Sequence, residues 1–332
     1  MPVYNADRHI AEAIQSLQHQ TFSDFELLII DDGSTDESQK IIEMSNDHRI
    51  RLIKNQQNVG VVGSLMRGMA LCRGDLIARM DADDVCEPER FSNQVAFLQL
   101  HPGVDIVGGA IRVFGSIPVP YIQSFPEEHE DIRVAMLFFC PLPHPALMFR
   151  RTLVDRGLLE YSDEFRHAED YYLWSHLLRF AKSANLPDTL LNYRLHHDQV
   201  SSEHSGKQYQ ASLRVRKLML SRANVDWNES DMELHESVIL EKFQADWNYI
   251  NRIGLWFNKI ESSNLLSCFW EPNALHRLLS RRIIEVVLKL KLSSPPKSLS
   301  PATKRYLKEG NLPIEHIMDR ILRHFGMVKS AG

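Results

Sequence analysis

Apolar and polar residues alternate in two patterns from the N-terminus to about residue 205. Short apolar runs are typical of buried strands, and they predict strands at 25–30, 50–53, 76–80, 104–108, 111–114, 146–149 and 186–195. Apolar residues that recur three and four positions apart predict helices at 10–17, 60–71, 88–98 and 171–180. The runs at 104–108 and 111–114 are expected to pair as a hairpin or meander. This alternation predicts an α/β fold with a mostly parallel sheet and helices on both faces.

The pattern changes after Ser205, where strand signals vanish. The remaining apolar residues follow a helical period, in segments separated by Glu271-Pro272 and by Ser293-Ser294-Pro295-Pro296. We therefore predict two regions: an α/β domain at 1–205 and a helical C-terminal region at 206–332.

Composition and charge exclude several classes of protein. The 332 residues are 44% apolar and 24% charged, as in ordinary soluble proteins, and a net charge of −5 gives no case for nucleic acid binding. Four cysteines without CxxC spacing argue against a zinc site or a disulfide framework and fit a reducing cytosol. No secretory signal pattern and no run of about 18 apolar residues occurs, so we expect a cytoplasmic protein without a membrane-spanning helix.

Two clusters of carboxylates follow predicted strands. Asp31-Asp32 ends the run at 25–30, and Asp81, Asp83 and Asp84 end the run at 76–80. Taken alone, the second cluster could equally be a solvated turn in which Asp84 caps the following helix. However, the carboxyl ends of parallel strands meet at one edge of a sheet, where α/β proteins bind ligands. Two acidic ends at that edge favour a site in which one cluster accepts hydrogen bonds from a nucleoside and the other binds a hard divalent cation.

A series of short motifs follows in a fixed order over the α/β region. They are Pro2-Val3-Tyr4-Asn5, Ile30-Asp31-Asp32-Gly33-Ser34-Thr35-Asp36, Asn58-Val59-Gly60 with Arg67, Met80-Asp81-Ala82-Asp83-Asp84, His144-Pro145 with Met148-Phe149-Arg150, Glu169-Asp170 and Tyr193-Arg194-Leu195-His196. In order and spacing this set resembles the motifs of family 2 glycosyltransferases. The resemblance extends to about residue 205 and implies a GT-A fold that uses a nucleotide-diphosphate sugar.

The resemblance also implies which residues bind the nucleotide sugar. Pro2 and Tyr4 belong to the motif beside the nucleotide. Asp31 or Asp32 would read the base, through the imide N–H of uracil if the donor is a UDP-sugar, and Asp32 is the first choice. Arg67 would offset charge near the diphosphate, as a guanidinium does well, although an exposed helical arginine without a role is a common alternative.

A divalent metal is implied at the family's Asp-x-Asp element, Asp81 and Asp83. We expect Asp83 to bind the metal and Asp81 to contact the ribose or the metal. Hard oxygen ligands that share the ion with phosphate indicate Mg²⁺ or Mn²⁺. His196 matches a family histidine that approaches the diphosphate or completes the metal shell, whereas without the motif His196 and the neighbouring His197 would be ordinary loop histidines.

Acceptor activation is implied at Asp170, which matches the family's Glu-Asp motif. A carboxylate there can act as general base and remove the proton of an acceptor hydroxyl. The alternative is an acid that only stabilises the start of a helix. Glu169 and His144 are expected on the acceptor side, with a structural role equally open for His144. One base without a second nucleophile implies a single displacement with inversion at the anomeric carbon.

These expectations define an inverting, metal-dependent glycosyltransferase. It would move a sugar from a nucleotide-diphosphate donor, expected to be a UDP-sugar, to a hydroxyl of a glycan or lipid-linked acceptor in cell-surface polysaccharide biosynthesis. Nucleotidylyltransferases share the diphosphate-binding plan, but they would show a glycine-rich basic loop, which Pro2-Val3-Tyr4-Asn5 is not. A non-catalytic or regulatory binding protein that retains the scaffold is the other alternative.

The C-terminal region contains a basic amphipathic segment at 275–292. Its apolar band is flanked by Arg277, Arg281, Arg282, Lys289 and Lys291. Such a helix can lie on an anionic membrane, which would place the protein peripherally on the inner face of the cell membrane. Packing of the apolar band against the rest of the protein is the alternative.

The N-terminus departs from the family pattern. An apolar strand normally precedes the Pro-Val-Tyr-Asn motif, but here Met1 directly precedes Pro2. The missing strand would be interior, so its absence would leave unpaired ladders at about 1–3 kcal/mol for each buried amide. We therefore expect that the natural start lies upstream of Met1.

Overall fold

The computed structural model describes residues 1–196, 205–290 and 298–309. His197 and the proline-containing segment at 293–296 lie outside these ranges. The chain divides into two compact units, Met1–His129 with Pro141–Tyr209 and Glu130–Cys140 with Gln210–Gly332. The predicted boundary near residue 205 remains a prediction.

The first unit alternates strands and helices, which confirms the α/β class. Its strands are β1 (Pro2–Val3), β2 (Leu27–Asp31), β3 (Ile50–Lys54), β4 (Leu76–Ala78), β5 (Val85–Cys86), β6 (Ile106–Gly115), β7 (Tyr121–Gln123), β8 (Met148–Arg150) and β9 (Ser183–Leu195). The helices up to β9 are α1 (Ile10–Gln18), α2 (Ser38–Met44), α3 (Gly60–Leu71), α4 (Arg90–Leu100), α5 (His129–Ala135), α6 (Thr152–Asp155) and α7 (Glu169–Leu177), with α5 belonging almost entirely to the second unit.

The first three strands form a parallel sheet in the order β1-β2-β3. All five residues of β2 are buried, as expected for an uninterrupted apolar run covered on both faces. Pro2 and Val3 themselves form the edge strand β1, and the amide of Asp32 donates to the carbonyl of Val3 at 2.8 Å. This pairing brings the N-terminal motif beside the first acidic cluster.

The other six strands form a second sheet, in the order β4-β8-β6-β9-β5 with β7 beside β6. Strands β6 and β9 pair in parallel over most of their length, whereas the remaining pairs are antiparallel. The predicted parallel pairing therefore holds for the first sheet and for the β6–β9 pair. The end of β9 delivers Arg194 and Leu195 beside Phe114 and Gly115 of β6.

The prediction of a hairpin between 104–108 and 111–114 was wrong. Residues 106–115 form one continuous strand, β6, and its antiparallel hairpin partner is β7. Gly108 and Gly109 lie inside β6 because neighbouring side chains leave no space for a Cβ atom. A Cβ at Gly109 would lie 2.6 Å from Leu190 Cδ1, and one at Gly108 would collide with Asn185 Oδ1.

One core joins the helices of the first unit to both of its sheets. Its buried members include side chains of α1, α4, β2, β6 and β8, among them Ile10, Ile14, Leu17, Ile29, Phe91, Leu98, Val107 and Met148. The predicted helical faces of α1 and α4 are those that pack inward. The core therefore fixes the strand ends that hold the acidic clusters.

The second unit is helical in its described part. Its C-terminal helices are α8 (Ser205–Arg222), α9 (Glu229–Ile239), α10 (Trp247–Ser267), α11 (Pro272–Leu290) and α12 (Pro301–Glu309). Residues 130–140 pack in the same unit, where the His235 Nε2 atom lies 2.8 Å from the carbonyl oxygen of Leu137. Arg216 and Glu236 form a buried ion pair at 2.7 Å.

The apolar band predicted at 275–292 is partly buried within the second unit, and its last two positions, which include Lys291, lie outside the described residues. Leu275, Leu279, Ile283 and Val286 of α11 are each at most 2% exposed. These four side chains therefore pack against the protein, whereas Leu278, Val287 and Leu290 are half-buried, and contact of this segment with a membrane stays a prediction. No helix in the described part of the chain is long and apolar enough to span a membrane.

Candidate active site

The second acidic cluster occupies the loop between β4 and β5. One carboxylate oxygen from each of Asp81, Asp83 and Asp84 lies within 4.8 Å of the others. The loop starts after the edge strand β4, which pairs with β8, and ends at β5, which pairs with β9, so both of its ends are held by the second sheet. Three carboxylates at this separation repel one another unless a cation neutralises them.

Asp84 is the most buried member of the cluster, at 1% exposure. Its Oδ1 atom accepts a hydrogen bond from the amide of Arg194 at 2.9 Å, which is at the end of β9 and not at the start of the following helix that the alternative of a solvated turn assigned to it. Its Oδ2 atom is buried and has no hydrogen-bond partner among the described residues. Burial, together with the charges of Asp81 and Asp83, raises the pKa of Asp84 well above its usual range.

Asp81 is the member of the cluster that pairs with a cation of the chain itself. Its Oδ2 atom accepts from Nη1 of Arg79. Burial raises the pKa of Asp81, Asp83 raises it further and Arg79 opposes both. The cluster has an excess of negative charge, and the buried Oδ2 atom of Asp84 has no hydrogen-bond partner among the described residues. This set of hard oxygen donors therefore fits Mg²⁺ or Mn²⁺.

His196 lies at the cluster, as the motif implied. Its Nε2 atom is 2.9 Å from Oδ2 of Asp83, and its ring centroid is 5.0 Å from that of His9. Arg194, two residues earlier, donates from Nε to the carbonyl of Asp83 at 2.8 Å, and its guanidinium lies over the ring of Phe114. The end of β9 therefore fastens the acidic loop through both backbone and side chain.

Asp32 is buried at the end of the first sheet, and both of its carboxylate oxygens accept hydrogen bonds. Oδ1 accepts from the Asn55 side chain at 2.6 Å and from the Val59 amide at 2.9 Å, and Oδ2 accepts from the Gly60 amide at 2.8 Å. The carboxylate thereby stabilises the start of α3, where orphan amides favour an anion. The Asp31 carboxylate accepts one hydrogen bond among the described residues, from the Ser34 amide to Oδ1 at 3.1 Å.

Arg67 belongs to the same hydrogen-bond chain. Its Nη1 atom donates to the carbonyl of Lys54 at 2.9 Å and to Oδ1 of Asn55, whose amide group in turn reaches Asp32. Here Arg67 supports the Asp32 carboxylate through Asn55. Contact with a diphosphate stays a prediction for this residue.

The N-terminal motif is tied to the loop after β2. Asn5, with a φ of 47°, accepts from the Thr35 amide at 2.8 Å and donates its own amide to Ser34 Oγ at 3.0 Å. Tyr4 is 50% exposed beside these contacts, and Pro2 lies within β1. These two motifs therefore form one rim of the candidate site.

Asp170 lies in the first turn of α7, next to Glu169. Its Oδ1 atom accepts from the Tyr171 amide at 2.7 Å. Burial raises the pKa of Asp170 to about 6, with a further increase from the charge of Glu169 and a decrease from Arg79. A carboxylate with this pKa is ionised at neutral pH and still basic enough to accept a proton.

His144 is buried, at 8% exposure, in the turn before β8. Its Nε2 atom lies 3.2 Å from the hydroxyl of Tyr161, and its ring packs edge-on against Trp174. Burial, reinforced by the charge of Arg79, lowers the pKa of His144 well below its usual range, so the imidazole is neutral. Neutral His144 and Tyr161 form a buried polar pair. Burial raises the pKa of the Tyr161 hydroxyl, and the charge of Asp170 raises it further.

Arg79 is the residue that sequence reasoning missed most clearly. It pairs with Asp81, and its charge also acts on Asp84, His144, Tyr161 and Asp170. A signal was available, since Arg79 is a charged residue at the end of an apolar run. Tyr161 had no comparable signal, because it lies in an irregular segment.

Solved structures define the class of fold to which this arrangement belongs. Residues 1–349 of TarS from S. aureus, solved in complex with UDP-GlcNAc, match this chain with a TM-score of 0.56 and 18% identity, covering 87% of each chain. At this identity the likeness shows the fold, which confirms the predicted GT-A class.

Sequence comparisons give the family. Residues 1–160 match the family described as glycosyl transferase family 2. A Haemophilus influenzae protein named an uncharacterized glycosyltransferase is 30% identical over 277 residues, covering 80% of this chain and 78% of the relative. WfaP of Escherichia coli, named a UDP-Glc:alpha-D-GlcNAc-diphosphoundecaprenol beta-1,3-glucosyltransferase, is 31% identical over 209 residues, covering 60% of this chain and 77% of WfaP. The chain belongs to glycosyl transferase family 2 and is a glycosyltransferase, as the motifs predicted.

Proposed function

We propose that this glycosyltransferase is inverting and metal-dependent, and that it transfers a sugar from a UDP-sugar to a hydroxyl of a glycan or lipid-linked acceptor in cell-surface polysaccharide biosynthesis. The observation that carries the proposal is the carboxylate cluster of Asp81, Asp83 and Asp84, with oxygens within 4.8 Å of one another. Its charge and its orphaned oxygen suit a cation bound to a diphosphate.

The names of relatives support the donor and the acceptor. WfaP and WfgD of Escherichia coli are named as transferases from UDP-Glc to a GlcNAc-diphosphoundecaprenol, and AmsE of Erwinia amylovora is named for amylovoran biosynthesis. By analogy we infer a UDP-sugar donor and a lipid-linked or glycan acceptor for this chain. A lipid-linked acceptor would bring the protein to the cytoplasmic face of the membrane that holds it.

In this proposal Asp83 and Asp81 hold the divalent cation, with His196 beside Asp83. The bound cation would neutralise the negative charge that develops on the nucleoside diphosphate as it leaves. Arg79 keeps the Asp81 carboxylate oriented towards the cluster. Asp84 adds negative charge from within the protein, while its Oδ1 atom stays bonded to the backbone of β9.

The nucleoside side of the proposed site lies at the end of the first sheet. Asp31 and Asp32 are assigned to the base, with Pro2, Tyr4 and Arg67 around the nucleotide. Since Asp32 already accepts three hydrogen bonds from the chain, a base N–H would have to use a remaining lone pair of that carboxylate. Asp31, with fewer protein partners, is the second candidate.

Asp170 is the proposed general base. A pKa of about 6 matches a group that takes a proton from a hydroxyl near neutral pH. The acceptor side also includes Glu169 and the buried His144–Tyr161 pair. With one base, a single displacement at the anomeric carbon inverts its configuration.

Substitution of Asp83 tests the metal and donor assignments together. We expect the wild-type protein to bind UDP in the presence of Mn²⁺ and far more weakly after chelation. Asp83→Ala should weaken the Mn²⁺-dependent binding of UDP by about 100-fold or more, because even the loss of an outer-shell partner costs about 10–100-fold in metal affinity. Isothermal titration calorimetry measures both effects.

Asp188→Ala is the matched control, since Asp188 is an exposed carboxylate within β9 that is remote from the cluster in the register of that strand. Equal UDP affinity with and without metal would contradict the metal assignment. A hydrolysis screen across nucleotide sugars then identifies the donor. Metal-dependent UDP binding with neither hydrolysis nor transfer for any donor would favour the non-catalytic alternative.

A further inference from the structure

Arg90 is a charged residue in the interior of the first unit. It is 0% exposed, at the first position of α4. No carboxylate pairs with its guanidinium among the described residues; its acceptors are backbone carbonyls, a sulfur and an amide oxygen. A buried charge without a counter-ion is costly, so this position calls for an explanation.

The acceptors of Arg90 lie at both ends of the acidic loop. Its Nη2 atom donates to the carbonyl of Arg79 at 2.7 Å, two residues before Asp81. Its Nη1 atom donates to Sγ of Cys86 at 3.2 Å, two residues after Asp84. One planar side chain therefore spans the loop that contains all three carboxylates.

The same guanidinium reaches the acceptor side of the site. Nη2 also donates to the carbonyl of Leu147 at 3.2 Å, and Nε donates to Gln94 Oε1 at 3.2 Å. Gln94 is itself fully buried and donates to the carbonyls of Val107 at 3.0 Å and Ala146 at 2.9 Å. Ala146 ends the short turn that begins at His144.

Only an arginine provides this set of contacts. Its fork directs N–H groups to several acceptors in one plane, whereas a lysine ammonium at the end of a flexible chain cannot reach acceptors on opposite sides at once. The positively charged group also bonds to the two residues that flank a loop with three carboxylates. Both properties point to the acidic loop as the reason that the charge is tolerated.

We propose that Arg90, supported by Gln94, is a positioning residue that holds both ends of the acidic loop and so presets the carboxylates for the cation. This inference rests on the proposed metal-dependent function. Arg90 does not contact the carboxylates and acts through the backbone of Arg79 and through Cys86. Its effect should therefore appear in cation affinity as well as in stability.

Arg150 provides a matched control for a purely structural arginine. It also donates to backbone carbonyls, those of Val104 at 2.8 Å and Leu98 at 2.6 Å. It lies at the far end of β8, where it pairs with Leu76 and not with the residues that lead into the loop. Loss of Arg150 should cost stability without disturbing the carboxylates.

The test compares Arg90→Met, Arg90→Lys and Arg150→Met in the full chain. Mn²⁺ binding, with and without UDP, is titrated by electron paramagnetic resonance, and thermal midpoints are recorded in parallel. We expect Arg90→Met and Arg90→Lys to weaken Mn²⁺ binding by about 10–100-fold, the range for outer-shell partners. Arg150→Met should bind Mn²⁺ like the wild type despite a lowered thermal midpoint.

Wild-type affinity for Mn²⁺ in a folded Arg90→Met variant would overturn the proposal, as would an equal loss in Arg150→Met. If Arg90→Met does not fold, Gln94→Met keeps the guanidinium and removes the three hydrogen bonds of the Gln94 side chain, one from Arg90 Nε and two to the carbonyls of Val107 and Ala146. Weakened Mn²⁺ binding by this variant supports the proposal, and unchanged binding overturns it. Failure of the proposed function itself would look different, because then the wild type would not bind Mn²⁺ with UDP.

Discussion

Asp170 combines a raised proton affinity with a position in the first turn of a helix. Burial raises its pKa to about 6, so the carboxylate is mainly ionised above that pH and protonated below it. A general base must be ionised to act. The rate of sugar transfer should therefore fall about tenfold per pH unit below pH 6, because the ionised fraction falls by that factor.

Asp170→Asn should retain Mn²⁺-dependent UDP binding and lower the turnover number for transfer by about 10²–10⁴-fold, the usual contribution of a general base. Calorimetry with UDP and a transfer assay across pH measure the two effects. Asp155→Asn, an exposed carboxylate in the helix α6, is the control and should leave both unchanged. Transfer by Asp170→Asn at the wild-type rate would remove the base assignment.

The positions of motif residues in the candidate site could be predicted from the sequence better than the contacts of the residues around them. The motifs indicated that Asp81, Asp83 and His196 lie close together, because the order of the motifs and the strand ends on which they fall determine where such residues lie. The role of Arg90 could not be predicted, whereas Arg79 had a signal in the sequence that was missed. A charged residue is usually exposed, and only tertiary packing shows that Arg90 is buried with its donors satisfied by carbonyls.

At the scale of elements, β6 shows why a glycine pair can mislead. Gly108-Gly109 lies between the two apolar runs that predicted two strands, and a glycine pair is a common turn signal. In the structure both glycines serve close packing against β9 instead, and that packing involves residues about 80 positions away, from Asn185 to Leu190. The sequence around Gly108 and Gly109 does not indicate that these distant residues pack against them.

Gly115, at the end of β6, combines a φ of 101° with a close backbone neighbour. A Cβ there would collide with the carbonyl of Leu195, beside His196. Gly115→Ala should therefore lower the free energy of unfolding by more than the roughly 1–2 kcal/mol that a left-handed alanine costs alone. It should also weaken Mn²⁺ binding, since the end of β9 shifts. Urea denaturation and metal titration check the two effects.

Gly157 is a suitable comparison, because its φ is 65° but nothing lies within 4 Å of the position that a Cβ atom would take. Gly157→Ala should show the conformational cost alone and leave metal binding intact. Equal effects of the two substitutions would mean that the contact between β6 and β9 at Leu195 is not important.

At the scale of the whole molecule, the sequence predicted an α/β part followed by helices. It did not indicate that residues 130–140 pack with the C-terminal helices, because this segment lies between strands of the first unit. His235, nearly 100 positions away, contacts Leu137 and stacks on Phe138. The packing of residues 130–140 with the C-terminal helices depends on tertiary contacts, which the periodicity of apolar residues along the sequence does not reveal.

The buried face of α11 gives a prediction for the second unit. Ile283 is 0% exposed, so Ile283→Ala should lower the stability of this unit by about 2–5 kcal/mol through lost burial and a cavity. Of the five tryptophans, Trp174 lies in the first unit and the others in the second, so tryptophan fluorescence during urea unfolding reports mainly on the second unit.

Leu266→Ala is the control, since Leu266 is 89% exposed and its loss should change stability by at most about 0.5 kcal/mol. A stable Ile283→Ala variant would contradict the packing of α11. Contact with an anionic membrane stays a prediction. Since much of the apolar band is buried, contact through α11 would depend on exposed charges such as Arg277 and Arg281 and would weaken at moderate salt.

The placement of the cysteines makes the protein suited to chemical labelling. Cys268 is exposed at the end of α10, whereas Cys86 is buried against Arg90, and burial raises the pKa of its thiol. A thiol reagent should therefore modify Cys268 in the native protein and reach Cys86 only when the acidic loop separates from Arg90. A protein in which Cys268 and the partly exposed Cys72 and Cys140 are all replaced would keep Cys86 as its one thiol, and the rate of modification of Cys86 would measure how often that loop opens.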